Sequence, residues 1–250
     1  MMNNHAATQL LLDARASGAL LDWRRLAVGD AATAYAVQDA QLARLGPVGG
    51  WKVGSKGDGS EPACSPLPAS GLLAAGAELS GPQWRIRGLE AELALRVGRD
   101  YDPGDALPSR EELLEVFDAV LPAIEVVETR LGQPPCGNPW AAMADLQSHG
   151  ALVLGTPLPM PAIAPDLRTI GASLALDGKE VARMTGGNPA GDLWPMLAWL
   201  ARHCARRGMP WKKGQIVTTG SCTGVQYARP GMKVEAVLEG IGAVAFSFGD

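Results

Sequence analysis

The sequence predicts an α+β protein with a mixed, mostly β roll-like core and a helical layer at its N terminus. The chain contains 31 glycines and 19 prolines but only 5% aromatic residues, a composition typical of a β-rich domain with many tight turns. Its first 45 residues are rich in helix formers. With 250 residues, 47% of them apolar, it can bury a substantial core. We expect residues 1–70 to form a helical segment with a lid-like loop, packed on a β-rich core of residues 71–250.

The charge and hydropathy patterns argue against several classes of protein. The net charge is −4 and Lys and Arg form no run, so nucleic acid is not an expected partner. No apolar run approaches the ~20 residues of a membrane-spanning helix, and the N terminus lacks the basic-then-apolar order of a signal peptide. The four cysteines have no paired spacing, which disfavours zinc sites and disulfides and favours a reducing compartment. We therefore expect a cytoplasmic protein.

Helix formers and glycine breaks organise the first 70 residues. Residues 8–45 are predicted to be helical, and Gly46-Pro47 ends this segment. Residues 50–56 form a short predicted strand, in which Trp51 and Val53 face one side and Lys52 the other. The Gly-, Pro- and Ser-rich residues 57–69 are predicted to be a loop, of a length often found in lids and binding segments.

Turn and capping signals divide the rest of the chain. Ser109 and Glu112 form a capping box at a helix start, and this helix is predicted to cross over between two strands of one sheet. Asp177-Gly178 is typical of a type I′ hairpin turn, and Gly208 of the residue that follows a helix. The predicted elements are short strands within 71–100, a helix at 108–117, strands at 120–127 and 151–155, a hairpin at 174–181, a helix at 192–207, a strand at 213–221 and a hairpin at 234–248.

Three acidic residues suggest a metal site. Glu90 and Glu92 alternate along a predicted strand, so both carboxylates point to the same face. Such close like charges repel unless a cation or a proton lies between them, and a hard divalent cation takes carboxylate oxygens. Glu125 lies within an apolar run, where an unpaired carboxylate is unfavourable. We predict that the three hold one metal ion. Alternatively, the pair lies on a solvated face and Glu125 pairs with Arg130.

Other polar residues suggest roles near this site. Lys52 faces solvent in the default interpretation; near a metal-bound anion it would act as an acid, a base or a carboxylate anchor. In the Gly220–Gly224 turn, Ser221 and Thr223 would contact a substrate carboxylate, or the turn is purely structural. His149 is a proton carrier or a packed core residue. His203, close to a helix C terminus, is expected at the surface.

Several short motifs together resemble the fumarylacetoacetate hydrolase superfamily, in its hydratase and decarboxylase branch. The resemblance covers nearly the whole chain in the same order. The motifs are Gly50-Trp51-Lys52-Val53-Gly54, Glu90-Ala91-Glu92, Leu121-Pro122-Ala123-Ile124-Glu125, Ala144-Asp145, Gly187-Asn188-Pro189-Ala190 and Val217-Thr218-Thr219-Gly220-Ser221-Cys222-Thr223-Gly224. It implies a 2-keto-4-pentenoate hydratase-like enzyme of aromatic-compound degradation, with the fold of the family's C-terminal domain.

The resemblance also implies roles for individual residues. By similarity, Glu90, Glu92 and Glu125 hold Mg²⁺ or Mn²⁺, Lys52 lies in the active site, and Asp145 belongs to a motif that carries catalytic function. The expected substrate is a small 2-oxo or 2-hydroxydienoic acid. The family usually forms homo-oligomers, and some members form complexes with a sequential pathway enzyme.

Two departures from the family pattern keep other functions open. Leu146 stands where relatives usually carry Asn after the Asp, and residues 61–67 match the family's loop poorly. The alternatives are a 4-oxalocrotonate-type decarboxylase, an acylpyruvate hydrolase and a non-catalytic partner subunit. The hydrolase is disfavoured because the family's hydrolases carry a His-Glu pair in the N-terminal half, and no His lies between His5 and His149.

Overall fold

The computed structural model describes residues 4–132, 136–161 and 164–250. Its helices are α1 (Asn4–Ser17), α2 (Ala31–Leu45), α3 (Arg110–Val116), α4 (Pro139–Ala144) and α5 (Leu193–Arg206). Its strands are β1 (Val48–Gly54), β2 (Ala63–Pro68), β3 (Leu72–Ala74), β4 (Glu78–Leu79), β5 (Gly88–Val97), β6 (Phe117–Val127), β7 (His149–Leu154), β8 (Leu158–Pro159), β9 (Gly171–Leu176), β10 (Lys179–Thr185), β11 (Ile216–Ser221), β12 (Gln226–Tyr227), β13 (Lys233–Leu238) and β14 (Gly242–Phe248). The α+β prediction is confirmed.

The larger sheet carries the residues of interest. Within the described residues it runs in the order β2-β1-β11-β5-β6-β7-β3, with β12 beside β5 and β8 beside β6. β1 is parallel to β11, whereas β11, β5, β6 and β7 are successively antiparallel. β5 and β6 are buried along most of their length. The centre of this sheet is therefore a rigid support for any side chain that leaves it.

A second sheet and the helices cover the first sheet. The second sheet has the order β10-β9-β13-β14-β4. Its inner residues pack with α5 and the larger sheet in one continuous hydrophobic cluster, which includes the fully buried Trp51, Leu93 and Leu197. Helices α1, α2 and α4 pack together in a separate cluster around Leu11 and Val37. This second cluster is the predicted N-terminal helical layer.

Three local predictions were wrong in detail. Residues 8–45 are not helical throughout: a connection with one 3-10 turn separates α1 from α2, and Asp30 caps α2 by accepting a hydrogen bond from the Thr33 amide. Residues 63–68, expected in a loop, form strand β2, whose prolines are tolerated because β2 lies at a sheet edge. The α3 helix connects two strands of one sheet, as predicted, but β5 and β6 are adjacent and antiparallel, so the connection is not a crossover.

Other local predictions are confirmed. Ser109 and Glu112 form the capping box of α3, and the hairpin at Asp177-Gly178 has positive φ at both residues, as a type I′ turn requires. Gly208 has a φ of +71° just after α5. Among the described residues no helix is long and apolar enough to cross a membrane.

Candidate metal centre

Three glutamates from two neighbouring strands lie together in the larger sheet. Glu90 is directly opposite Glu125 in the antiparallel β5/β6 pair, and Glu92 lies two residues further along the same face of β5. One carboxylate oxygen from each lies within 4.8 Å of the others. The structure therefore brings the three predicted ligands together. That they bind a metal ion stays a prediction.

Glu92 is fixed from the neighbouring strand β11. Its Oε2 accepts hydrogen bonds from the Thr218 hydroxyl and from the Gly220 amide, the latter at 2.9 Å. Gly220 has a φ of +90°, a conformation that glycine adopts without the steric penalty of a side chain. The turn at the end of β11 thus aims one amide at one oxygen of Glu92 and leaves Oε1 for another partner.

Glu125 is oriented by two basic residues. Its Oε1 lies 2.6 Å from Lys52 Nζ and 3.4 Å from His149 Nδ1. Its Oε2 is buried and has no hydrogen-bond partner among the described residues. A buried carboxylate oxygen without a donor is unfavourable. Because one carboxylate oxygen of each glutamate lies within 4.8 Å of the others and Glu125 Oε2 has no protein donor among the described residues, the donor set fits a hard divalent cation.

The charges of these residues are strongly coupled. Burial, followed by the charge of Glu125, raises the pKa of Glu90 to about 7 and that of Glu92 well above its ordinary value. Burial would also raise the pKa of Glu125, but Lys52 and His149 outweigh it and lower that pKa to about 2. Burial would lower the pKa of Lys52, but the carboxylates outweigh it and raise it. Lys52 alone thus leaves the three carboxylates short of positive charge, and a divalent cation would supply it.

The glutamates line one wall of a cavity of about 250 Å³, here called the carboxylate cavity. Lys52 forms part of the same lining, with 14% of its side chain exposed. The other polar residues of the lining are neutral: Ser55, Gln147, Asn188, Thr219 and Ser221. The site therefore combines buried acidic ligand atoms, one ammonium group and neutral hydrogen-bonding groups, which suits a small anionic molecule chelated to a cation.

A protein-family model matches most of the chain. The family model described as fumarylacetoacetate (FAA) hydrolase C-terminal matches residues 37–248. The chain belongs to this family. The match runs from α2 to the last strand and includes all three glutamates and Lys52.

The chain is similar to curated proteins that are named hydratases. A TodF product hydratase from Pseudomonas putida is 30% identical over 260 residues, which cover 97% of this chain and 94% of the relative. A 2-keto-4-pentenoate hydratase from Paraburkholderia xenovorans is 30% identical over 165 residues, which cover 64% of this chain and 58% of the relative. The chain thus spans less than two thirds of the length of the second relative.

A solved structure shares the whole fold. The structure of 4-oxalocrotonate decarboxylase from Pseudomonas putida G7, complexed with magnesium and adipate, matches 97% of this chain and 96% of its own. The TM-score is 0.83 and the sequence identity 22%. At this identity the match shows a common fold.

Two of the other residues expected from the family pattern lie in the carboxylate cavity. Lys52 leaves β1 opposite the buried Trp51 and Val53, and its Nζ also donates to the Gln147 carbonyl at 3.1 Å. Its default interpretation as a solvent-exposed lysine was wrong. Ser221 is opposite Glu92 in the β11/β5 pair and lines the cavity. Because both side chains line the cavity, they are placed to contact a substrate there, but the catalytic role of Lys52 and the substrate contact of Ser221 stay predictions.

Thr223 and Asp145 lie elsewhere. The Thr223 hydroxyl accepts a hydrogen bond from the Ala91 amide and donates to the Gly224 carbonyl. Asp145 is fully buried, paired with Arg130 at 2.5 Å, and accepts from the Thr129 hydroxyl. Each side chain is already hydrogen-bonded within the protein, and neither lines the carboxylate cavity. The predicted substrate contact of Thr223 and the predicted catalytic role of Asp145 therefore stay predictions that this geometry does not favour. The alternative pairing of Arg130 with Glu125 is wrong, because Arg130 pairs with Asp145.

The segment after Asp145 has an unusual backbone. Leu146, Gln147 and Ser148 have φ values of 49°, 50° and 62°, a left-handed conformation that costs a non-glycine residue roughly 1–2 kcal/mol. The backbone of Ser148 links two segments: its amide donates a hydrogen bond to the Asp145 carbonyl, and its carbonyl accepts one from the Glu128 amide. Leu146, at the position where relatives usually carry Asn, is fully buried and does not line the carboxylate cavity. Gln147 lines the cavity instead.

The sequence analysis did not single out Gln147 or Asn188, and it treated two roles of His149 as alternatives although the structure shows both a packed ring and a polar contact. Gln147 has a buried side-chain oxygen without a partner among the described residues, and no sequence pattern indicated it. Asn188 donates to the carbonyls of Thr219 and Gly220 and so holds the turn beside Glu92; its Gly-Asn-Pro-Ala motif was the available signal. His149 is both packed, as one alternative stated, and in contact with Glu125.

His203 and Cys222 lie outside the carboxylate cavity. His203, expected at the surface, is half-buried and stacked on Trp199 with ring centroids 4.5 Å apart. Cys222 is buried, and burial raises the pKa of its thiol to about 11.

Proposed function

We propose that the protein is a divalent-metal-dependent hydratase that adds water to a 2-hydroxydienoate or 2-oxo-enoate, as 2-keto-4-pentenoate hydratases do. The observation that carries this proposal is the convergence of Glu90, Glu92 and Glu125 next to Lys52, with one buried oxygen of Glu125 free of hydrogen bonds among the described residues. The hydratase names of the curated relatives support the choice of reaction.

The three glutamates would hold Mg²⁺ or Mn²⁺. One carboxylate oxygen of each is close enough to the others to share an ion, and the solved decarboxylase with this fold is described with magnesium. When bound, such an ion stabilises negative charge on the oxygens of a 2-oxo acid as a Lewis acid. The identity of the ion and the homo-oligomeric state expected from the family are parts of this proposal.

Lys52 supplies the positive charge and the movable proton. Three carboxylates and one divalent ion sum to a net negative charge, so an anionic substrate needs a further cation. The Nζ of Lys52 is held by Glu125 and by the Gln147 carbonyl, and it reaches the same cavity that the glutamates line. It would hold a proton at Nζ for transfer to the substrate carbon.

Gln147 and Ser221 would orient the substrate. Both line the carboxylate cavity. A second cavity of about 670 Å³ shares Gly54, Ser55 and Gln147 with it, and Trp140 and Met143 supply apolar lining. The acid end of the substrate would lie at the glutamates and its carbon chain would extend past Gln147 into this second cavity.

The reaction is tested with purified protein, Mg²⁺ and 2-hydroxypentadienoate. We expect the ultraviolet absorbance of the dienoate to decline and a product heavier by one water to appear in mass spectrometry. Glu92→Gln is the inactive control, and Glu235→Gln, an exposed strand glutamate, is its matched counterpart. No turnover in the unchanged protein with any divalent ion would contradict the proposal and favour a non-catalytic subunit.

A decarboxylase of the 4-oxalocrotonate type is the second candidate. One observation favours it: besides the three glutamates, Lys52 is the only titratable side chain that lines the carboxylate cavity among the described residues. Loss of CO₂ needs an electron sink and one proton donor, whereas hydration also needs a group that activates water. Release of CO₂ from 4-oxalocrotonate, without hydration of the dienoate, would select this alternative.

A further inference from the structure

A separate polar cavity, distinct from both cavities described above, lies on the other side of His149 from the glutamates. It has a volume of about 220 Å³, and its charged lining consists of Arg15, Arg85, Arg130 and Glu128. Trp84 and Leu45 contribute apolar wall. We call it the arginine cavity. It shares none of its lining residues with the carboxylate cavity.

Two of these charged groups are fully engaged by the fold. Arg130 pairs with Asp145 and donates to the carbonyls of Glu128, Asp145 and His149. The Glu128 carboxylate accepts the backbone amides of Arg85, Ile86 and Arg87. Arg130 and Glu128 therefore use their side-chain hydrogen bonds to hold the protein together and are not the expected ligands of a bound molecule.

Arg15 and Arg85 are not engaged in this way. Neither forms an ion pair with a described residue, and each makes one side-chain hydrogen bond, to the carbonyls of His149 and Thr129 respectively. Arg15 Nε and Arg85 Nε and Nη1 are buried without a partner among the described residues. Buried guanidinium groups are normally paired with anions, because an unpaired one loses its hydration without compensation.

We propose that the arginine cavity binds a small oxyanion, a free carboxylate or inorganic phosphate, between Arg15 and Arg85. Three nitrogen atoms without a hydrogen-bond partner among the described residues belong to these two arginines, and both arginines line the cavity. Planar guanidinium forks match carboxylate and phosphate oxygens. The lining carries three positive charges and one negative charge, and Asp145 neutralises Arg130, so a net positive charge remains for the ligand.

The electrostatics of Arg15 agree with this assignment. Burial, followed by repulsion from Arg130, lowers the pKa of Arg15 to about 9. The side chain is still cationic at neutral pH, but it lies in a region with excess positive charge. A bound anion removes this repulsion and restores the ordinary preference for the charged form.

The test is calorimetric titration of metal-free protein with sodium phosphate and, separately, sodium succinate, at constant ionic strength set with NaCl. Without metal the carboxylate cavity is acidic and repels both probes, so the result does not depend on the proposed function. We expect saturable binding of at least one probe with one site per chain. Saturable binding of phosphate alone, of succinate alone or of both would show which anion the cavity prefers.

Variants locate the site. Arg85→Gln removes one fork and should weaken binding about tenfold or more, whereas Arg229→Gln, an exposed arginine, should leave it unchanged. If Arg85→Gln does not fold, Arg85→Lys keeps the charge and loses the fork. In the unchanged protein the bound probe should also protect Arg15 and Arg85, but not Arg229, from phenylglyoxal. No saturable binding of either probe, or equal binding by Arg85→Gln and Arg229→Gln, would overturn the proposal.

Discussion

The ammonium group of Lys52 lies 2.6 Å from Glu125 Oε1, and both side chains belong to strands of one sheet that are separated by β11 and β5. The Glu125 side chain is only 1% exposed, so the pair is shielded from solvent. The same contact occupies Glu125 Oε1, whereas Oε2 has no hydrogen-bond partner among the described residues. Lys52 thus fixes which oxygen of Glu125 remains available as a ligand.

Replacing Lys52 by Met should remove the proton carrier and keep the ligand set. Met has similar length and no charge, so we expect kcat to decline about 10²- to 10⁴-fold, the range of general acid–base catalysis. The affinity for Mn²⁺ should be retained or increase, because a competing cation is removed from the carboxylates. Turnover by Lys52→Met at the unchanged rate would exclude Lys52 from the reaction.

Replacing Glu92 by Gln should impair metal binding. The amide is isosteric, but it lacks the negative charge that a hard cation requires. We expect Mn²⁺ affinity, measured by calorimetry, to decline at least tenfold and activity to decline with it, while Glu235→Gln behaves as the unchanged protein. Equal Mn²⁺ affinity in Glu92→Gln and Glu235→Gln would remove Glu92 from the ligand set.

Gln147→Asn should reduce substrate affinity without disturbing the loop. Asn adopts the left-handed backbone more readily than other residues with a side chain, and its amide is one methylene shorter. Because a hydrogen bond to substrate contributes about 0.5–1.5 kcal/mol, KM should rise about two- to tenfold with a smaller change in kcat. The exposed Gln9→Ala is the control. Unchanged KM would show that the Gln147 amide does not contact substrate.

Asp145→Asn should destabilise the protein. The change leaves the buried Arg130 guanidinium without its counter-charge, and loss of one partner of a buried ion pair typically costs about 3–5 kcal/mol. We expect a corresponding decline in the free energy of unfolding from urea titration. The exposed pair of Arg96 and Asp118 is the comparison, since Asp118→Asn should cost at most about 1 kcal/mol. A stable but inactive Asp145→Asn would instead support the direct catalytic role predicted from sequence.

The sequence predicted features that depend on short-range periodicity. Alternation along a strand placed Glu90 and Glu92 on one face and separated Lys52 from Trp51 and Val53. Capping and turn residues located α3 and the β9/β10 hairpin, because their hydrogen bonds are local. The apolar run around Glu125 indicated the third acidic residue, and the order of the motifs gave the family.

Features that depend on tertiary pairing could not be predicted. The antiparallel pairing that sets Glu90 opposite Glu125 requires the sheet order, which the helix between the two strands obscured. The left-handed run at Leu146–Ser148 has no glycine to indicate it. Arg15 and Arg85 are 70 positions apart, so only the fold shows that they share a cavity.

His149 lies between the carboxylate cavity and the arginine cavity, whose charged linings are mainly acidic and mainly basic, respectively. Its Nδ1 faces Glu125, and its Nε2 lies so close to Gly71 that a Cβ there would come within 2.9 Å of that nitrogen. A fully buried imidazole ring therefore contacts the buried carboxylate of Glu125 on one edge and, on the other, Gly71, which lines the arginine cavity. A smaller side chain at position 149 would open a passage along which cations and anions could meet, so the width of one imidazole keeps the two cavities electrostatically distinct.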